Sequence, residues 1–104
     1  MDISICIPIY NGLPYLGDAL GSVLDQTYRE FEVLISDDGS TDGSLSLVED
    51  FHKSSPFHTR VFRNKRLGIS RNCNFLANEA DGKFLKFLFQ DDLLDSSCIE
   101  VFLK

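Results

Sequence analysis

Two apolar stretches of this 104-residue chain each run into a pair of adjacent aspartates. FEVLISDD ends on Asp37 and Asp38, and KFLKFLFQDDLLDSS carries Asp91 and Asp92. Adjacent like charges repel, and a carboxylate left unpaired beside a core is costly, so each pair demands a positive partner. Hard divalent cations prefer carboxylate oxygens, and magnesium commonly shares one or two carboxylates with substrate phosphates. Asp91 and Asp92 are therefore candidates to hold Mg2+ or Mn2+, and through it a diphosphate. Asp37 is a candidate acceptor for the N–H groups of a ligand. On the residues alone, DDGSTD reads equally well as a solvated loop whose acids cap the next helix.

Other chemistries lack their residues. There is no G-x-x-x-x-G-K-[ST] phosphate loop and no G-x-G-x-x-G after the first apolar run, so neither a P-loop nor a dinucleotide site is expected. His52 and His58 flank a helix end far from the acids and read as surface groups. Cys6, Cys73 and Cys98 are odd in number and contain no Cys-x-x-Cys. That usage points to buried thiols in a reducing cytosol, not to zinc or a disulfide framework. A formal net charge of -6 argues against nucleic-acid binding driven by phosphate neutralisation. Arg60, Arg63, Lys65, Arg66 and Arg71 still leave room for a small anionic ligand.

The elements that must position these residues follow from apolar spacing. Ile3 to Ile9 is a near-continuous apolar run, as in a parallel strand buried on both faces. Pro14 is placed for the first turn of a helix, and Leu16, Ala19, Leu20, Val23 and Leu24 recur at helical spacing. Phe31 to Ile35 is a second strand, followed by the glycine-containing turn DDGSTDGS. Leu45, Leu47, Val48 and Phe51 mark a second helix, and Thr59 to Phe62 a short third strand. Cys73, Leu76, Ala77 and Ala80 share one face of a third helix, with Gly82 as its terminator. Phe84 to Phe89 is a fourth strand. A last helix begins at Asp95, where Ser97 and Glu100 have capping-box spacing. No run is long enough to span a bilayer.

Strands alternating with helices predict an α/β, three-layer Rossmann-like sandwich with a mostly parallel sheet of about four strands. Its length suits a single domain over residues 1–104. Open parallel sheets bind ligands beyond the carboxyl ends of their strands. Those ends deliver Pro8, Tyr10 and Asn11; Ser36, Asp37 and Asp38; Arg63 and Asn64; and Gln90, Asp91 and Asp92. Polar groups from several strands thus converge on one edge.

ISICIPIYNGLPYLGDALGSVLDQTYREFEVLISDDGSTD resembles the opening of the family 2 glycosyltransferases, which have the A-type nucleotide-sugar-binding fold. RNKRLGISRNCNFLANEADGKFLKFLFQDDLLDSS resembles their continuation up to a metal-binding motif. The resemblance implies that Pro8, Tyr10 and Asn11 border the nucleobase and that Asp37 accepts the uracil ring N–H. Asp38 to Asp42 then shape the loop beneath the base, and Arg71 lies near the base and ribose. The family's Asp-x-Asp-Asp falls on Phe89, Gln90, Asp91 and Asp92, with Phe89 in place of the first acid. Asp92 is then the metal ligand, and Asp91 serves ribose or metal.

The implied reaction is metal-dependent transfer of a sugar from a nucleoside-diphosphate donor, of UDP type, to an acceptor hydroxyl with inversion. The acceptor class is a saccharide or a lipid-linked saccharide, in polysaccharide biosynthesis. The catalytic base and the acceptor-binding elements are expected beyond Lys104, so this chain corresponds to the donor-binding half. Its expected location is the cytoplasm, at the inner face of the membrane for a peripherally associated full enzyme, and self-association as a homo-oligomer is open. Two other classes compete. A non-catalytic nucleotide-binding or oligomerisation module would bind without transferring sugar. A receiver-type phosphoacceptor domain would need an acid pair after the first strand, where PIYNG stands instead.

Overall fold

The computed structural model describes residues 2–89. Gln90, Asp91, Asp92, Cys98 and the helix expected from Asp95 lie outside the described residues. The elements run β1 (Ile3–Ile9), α1 (Leu16–Leu24), β2 (Phe31–Asp37), α2 (Ser44–Ser54), β3 (His58–Arg63), α3 (Ile69–Glu79) and β4 (Phe84–Phe87). The four strands form one parallel sheet in the order β3-β2-β1-β4. The expected α/β sandwich is what the chain forms.

Every residue of β1 and β2 is buried, because these strands are central and covered on both faces. That is why they read as unbroken apolar runs. On one face, α1 and α2 set Leu16, Leu20, Val23, Val48 and Phe51 against Ile3, Ile5, Ile7, Phe31 and Ile35. On the other, Leu76 of α3 packs against Cys6 and Leu34. Burial pushes the Cys6 thiol up to about 12, helped by the Glu32 carboxylate and Cys73 and opposed by Arg60. Cys6 is buried, as expected, whereas Cys73 is half-buried. Among the described residues no helix is long and apolar enough to cross a membrane.

Several boundaries differ from the expectations: β2 runs past Ile35 to Asp37, and β3 spans His58–Arg63, one residue longer at each end than Thr59 to Phe62. Pro14 lies in the turn ahead of α1, whose N-cap is Tyr15. The helix α3 starts at Ile69, about a turn before Cys73, because its opening residues include the polar Ser70, Arg71 and Asn72 and carry no apolar period. It ends at Ala80, which turns extended while its N–H still bonds to Leu76 O; Gly82 is not the terminator. Gly82 instead lies against β1, where a Cβ would fall 2.6 Å from Ser4 Oγ and 2.7 Å from Ser4 N. Finally, β4 ends at Phe87, not Phe89, although Leu88 N–H still donates to Cys6 O at 2.9 Å.

A polar cluster lies towards the amino end of the sheet. Glu32 is 2% exposed. Its Oε2 accepts from Ser4 Oγ at 2.5 Å and Asp81 N at 2.8 Å, and Arg60 stands 3.6 Å from its Oε1. Such a buried acid persists because its oxygens are paired. The opposite, carboxyl end of the sheet is where the remaining polar side chains gather.

Candidate functional site

Strand order decides where a crevice opens. From β1 the chain moves outward to β2 and β3, then returns to place β4 on the other side of β1. The crossovers therefore leave β1 in opposite directions, which is a topological switch point. A cleft of about 400 Å³ opens at the carboxyl ends there. Pro8 and Ile9 at the end of β1, Tyr10 just after it and Phe89 beyond β4 form one side; among the described residues Asp38, Arg66, Ile69 and Asn72 form the rest. Its volume lies within the range of small-molecule sites.

Among the described residues, Asp38 is the acid that lines this cleft. It is 1% exposed, and three donors converge on it. Oδ1 accepts Leu67 N at 2.6 Å; Oδ2 accepts Gly68 N at 2.9 Å and an Arg66 guanidinium nitrogen at 2.7 Å. These bonds fasten the β3–α3 loop across the end of β2. Arg66 adopts a positive φ of 36°, uncommon for a side-chain-bearing residue. Its guanidinium stands 3.6 Å over the centroid of the Tyr10 ring. Acid, guanidinium and aromatic ring thus form one stack in the cleft.

Asp37 does something else. It is the last residue of β2 and 2% exposed. Its Oδ2 accepts Gly39 N and Ser40 N at 3.2 and 3.0 Å, shaping the turn in which Gly39 has φ +84°. Its Oδ1 is buried without a hydrogen-bond partner.

Asn11 ties the β1–α1 loop to that turn. Its N–H donates to Ser40 Oγ at 2.9 Å and its Oδ1 accepts Thr41 N at 2.8 Å. Gly12 N also donates to Ser44 Oγ at 2.8 Å. These bonds set the chain immediately after Tyr10. A second network holds α3: Ser36 Oγ donates to Asn72 Oδ1 at 2.5 Å, and Asn64 Nδ2 donates to Ser36 Oγ at 2.7 Å.

Of the residues singled out from sequence, Pro8, Tyr10 and Asp38 line the cleft; Asn11 and Asp37 brace the loops beside it. Arg71 is exposed on the first turn of α3 and is not among the lining residues. Arg63 lies at the end of β3 but pairs with Glu49 of α2 at 2.9 Å. Sequence reasoning missed Arg66 and Asn72 as site residues. Arg66 stood as one basic residue among several, and Asn72 sits in a polar run that reads as a solvated face. The one available signal was the turn character of NKRLG ahead of the helix.

Among the described residues, no group of three or more His, Cys, Asp or Glu side chains could hold a metal ion. The described part of the cleft can do polar and aromatic recognition. A flat ligand with a hydrogen-bonding edge matches that lining.

Known proteins resemble this chain in sequence and fold. The family described as Glycosyl transferase family 2 matches residues 4–104. A protein of Rickettsia felis named "Uncharacterized glycosyltransferase" is 39% identical over 102 residues, covering 98% of this chain and 17% of its own length. The solved structure of S. aureus TarS 1–349 in complex with UDP-GlcNAc superposes with a TM-score of 0.90 at 28% identity, over 99% of this chain and 30% of that one. The mannosyltransferase PcManGT of Pyrobaculum calidifontis, in complex with GDP-Man and Mn2+, gives 0.82 at 25% identity, over 88% of this chain and 28% of that one. The chain thus spans under a third of the length of each of these proteins.

Proposed function

Since this chain belongs to glycosyl transferase family 2, we propose that its cleft takes the nucleoside part of a nucleotide-sugar donor, of UDP type, for transfer to an acceptor hydroxyl with inversion. The observation that carries this reading is the Asp38–Arg66–Tyr10 stack at the switch point. The S. aureus relative solved with UDP-GlcNAc supports the donor class.

The hydrogen-bond pattern narrows the base. An ionised carboxylate offers about four acceptor positions, and Asp38 uses three of them. The free position on Oδ1 suits one ring N–H, with the Arg66 guanidinium beside it as donor to a carbonyl. Uracil presents a ring N–H flanked by two carbonyls. Neutral adenine and cytosine have no ring N–H on their pairing edge. Tyr10 supplies a stacking face, now covered by Arg66. Moving the guanidinium off it costs about 0.5–1 kcal/mol at an exposed site, which base stacking offsets. We therefore propose Asp38 as the acid at the base in place of Asp37, which the resemblance implied, with Asp37 supporting the turn beside it.

The chain's part in the reaction is to bind and orient the donor. A divalent ion, when bound, supplies charge stabilisation for the departing diphosphate. We assign its ligands to Asp92 and Asp91, outside the described residues.

Calorimetric titration of the chain with UDP, CDP and ADP, with and without Mn2+, tests the proposal. We expect UDP to bind best and Tyr10→Ala to weaken it at least tenfold, about 1.4 kcal/mol. Asp92→Asn should remove the gain from Mn2+ while leaving metal-free affinity intact. A folded Tyr10→Ala protein with unchanged UDP affinity would sink the assignment of the cleft.

A further inference from the structure

On the β4 side of the cleft stands a ring with no hydrogen-bonding group. Phe89 is 40% exposed and lines the crevice opposite the polar residues in strand order. Its position is set by the sheet. The β1–β4 register pairs Cys6 with Phe87, and Leu88 N–H donates to Cys6 O, which carries Phe89 to the level of Pro8. Side chains at i and i+2 of an extended chain share a face. Phe89 accordingly stacks on Phe87, with centroids 6.4 Å apart and planes 20° from parallel. Phe87 is in turn packed against the Cys6, Leu34 and Leu76 cluster. Phe89 is thus backed by the core and open towards the cleft.

Resting on the donor-cleft reading, we propose that Phe89 is a specificity-determining contact for the pentose of the nucleotide. Asp38 follows β2, and Phe89 follows β4, two strand positions away. Two interstrand spacings are about 10 Å, more than the width of a pyrimidine ring. Measured between backbones, that spacing leaves room on the Phe89 side of a base whose edge meets Asp38 and Arg66, and the pentose attached to the base fits there. The contact is apolar: pentose C–H groups lie on the ring. It selects for a nucleoside over a bare phosphate and needs no metal.

The test uses the 104-residue chain and UDP, uridine and inorganic pyrophosphate as probes. NMR of the wild-type complex should show intermolecular NOEs from the Phe89 ring to pentose protons. In Phe89→Ala, UDP and uridine should weaken by the same factor, roughly fivefold, with or without Mn2+, while pyrophosphate affinity stays unchanged. Phe89→Leu, which keeps apolar bulk, should recover most of the loss. A merely structural Phe89 would lower thermal stability in Phe89→Ala and leave affinity alone. UDP affinity within twofold of wild type in folded Phe89→Ala, or NOEs from Phe89 to base protons only, overturns the proposal. If UDP binding is then still lost in Tyr10→Ala, the donor-cleft reading survives on its own. Absence of UDP binding by wild type removes both.

Discussion

Replacing Asp38 by asparagine should destabilise the chain more than the same change at Asp37, one residue earlier. At Asp38 the carboxylate takes Leu67 N, Gly68 N and the Arg66 guanidinium. An amide has one oxygen, so its best placement keeps that oxygen at Oδ2 and turns –NH2 towards Leu67 N–H. One buried donor then loses its acceptor and faces another donor, at about 1–3 kcal/mol. The charge-assisted bonds from Gly68 and Arg66 weaken to neutral ones. For Arg66 that loss is discounted to under about 1 kcal/mol, because its side chain is 55% exposed and regains water. The total is roughly 2–4 kcal/mol, a large part of the ~5–15 kcal/mol that typically holds a domain. At Asp37, Oδ2 accepts two turn N–H groups and Oδ1 has no partner. An asparagine keeps its oxygen at Oδ2 and places –NH2 where nothing is displaced, costing about 1 kcal/mol or less. Urea unfolding followed by far-UV circular dichroism measures both. With a slope of about 1–3 kcal/mol/M, the Asp38→Asn midpoint should fall by roughly 1–2 M. A loss below about 0.5 kcal/mol, or a larger loss at Asp37, would refute the division of labour drawn between the two acids.

Two further perturbations probe the opposite end of the sheet. Gly82→Ala forces a methyl to within 2.7 Å of Ser4 N and 2.8 Å of Ile3 C; these belong to a central strand that cannot yield, so a loss of about 3 kcal/mol is expected by the same urea assay. An unchanged midpoint would show that the loop before β4 moves freely. Glu32→Gln tests the buried acid through pH. Burial raises the Glu32 pKa, but the Ser4 hydroxyl, the Asp81 N–H and the nearby Arg60 and His58 outweigh it and hold the group below its usual value. A lowered folded pKa stabilises above the unfolded value of about 4.3, and that contribution is lost as pH falls through the folded value. Wild type should exceed Glu32→Gln in stability by a constant margin from neutral pH down to about 5, then converge with it in more acid solution. A margin that persists unchanged into strong acid contradicts the assignment.

Much of the fold was legible because burial on both faces leaves an unambiguous trace. Ile3 to Ile9 read as a strand buried on both faces, Phe31 to Ile35 as a second strand, and Leu16 to Leu24 as a helix, and the structure has all three. Legibility failed where polar residues are buried by partners distant in the chain. Asn72 is 2% exposed yet looks like a solvated helix face, since its partner Ser36 is 36 residues away. Gly82 looked like a helix stop because nothing local announces its approach to Ser4. Of the site, the aspartates where β2 ends and the tyrosine after β1 were visible as polar groups ending apolar runs. Which of Asp37 and Asp38 meets the cleft was not, because adjacent residues at a strand end differ only in the direction the turn gives them.

The amino-acid sequence by itself determined the succession of strands and helices along the chain, the burial of β1 on both faces, and the presence of Asp37 and Asp38 where β2 ends. Hydrophobic periodicity reports which face each local segment buries, and that needs no knowledge of neighbours. Only the tertiary structure decided that Arg66 answers Asp38, that Arg66 covers Tyr10, and that Phe89 closes the same cleft. Those meetings depend on crossovers that carry β4 back beside β1 and fold the β3–α3 loop over the end of β2. Strand order and register are properties of the assembled sheet, and they turn separate polar strand ends into one site.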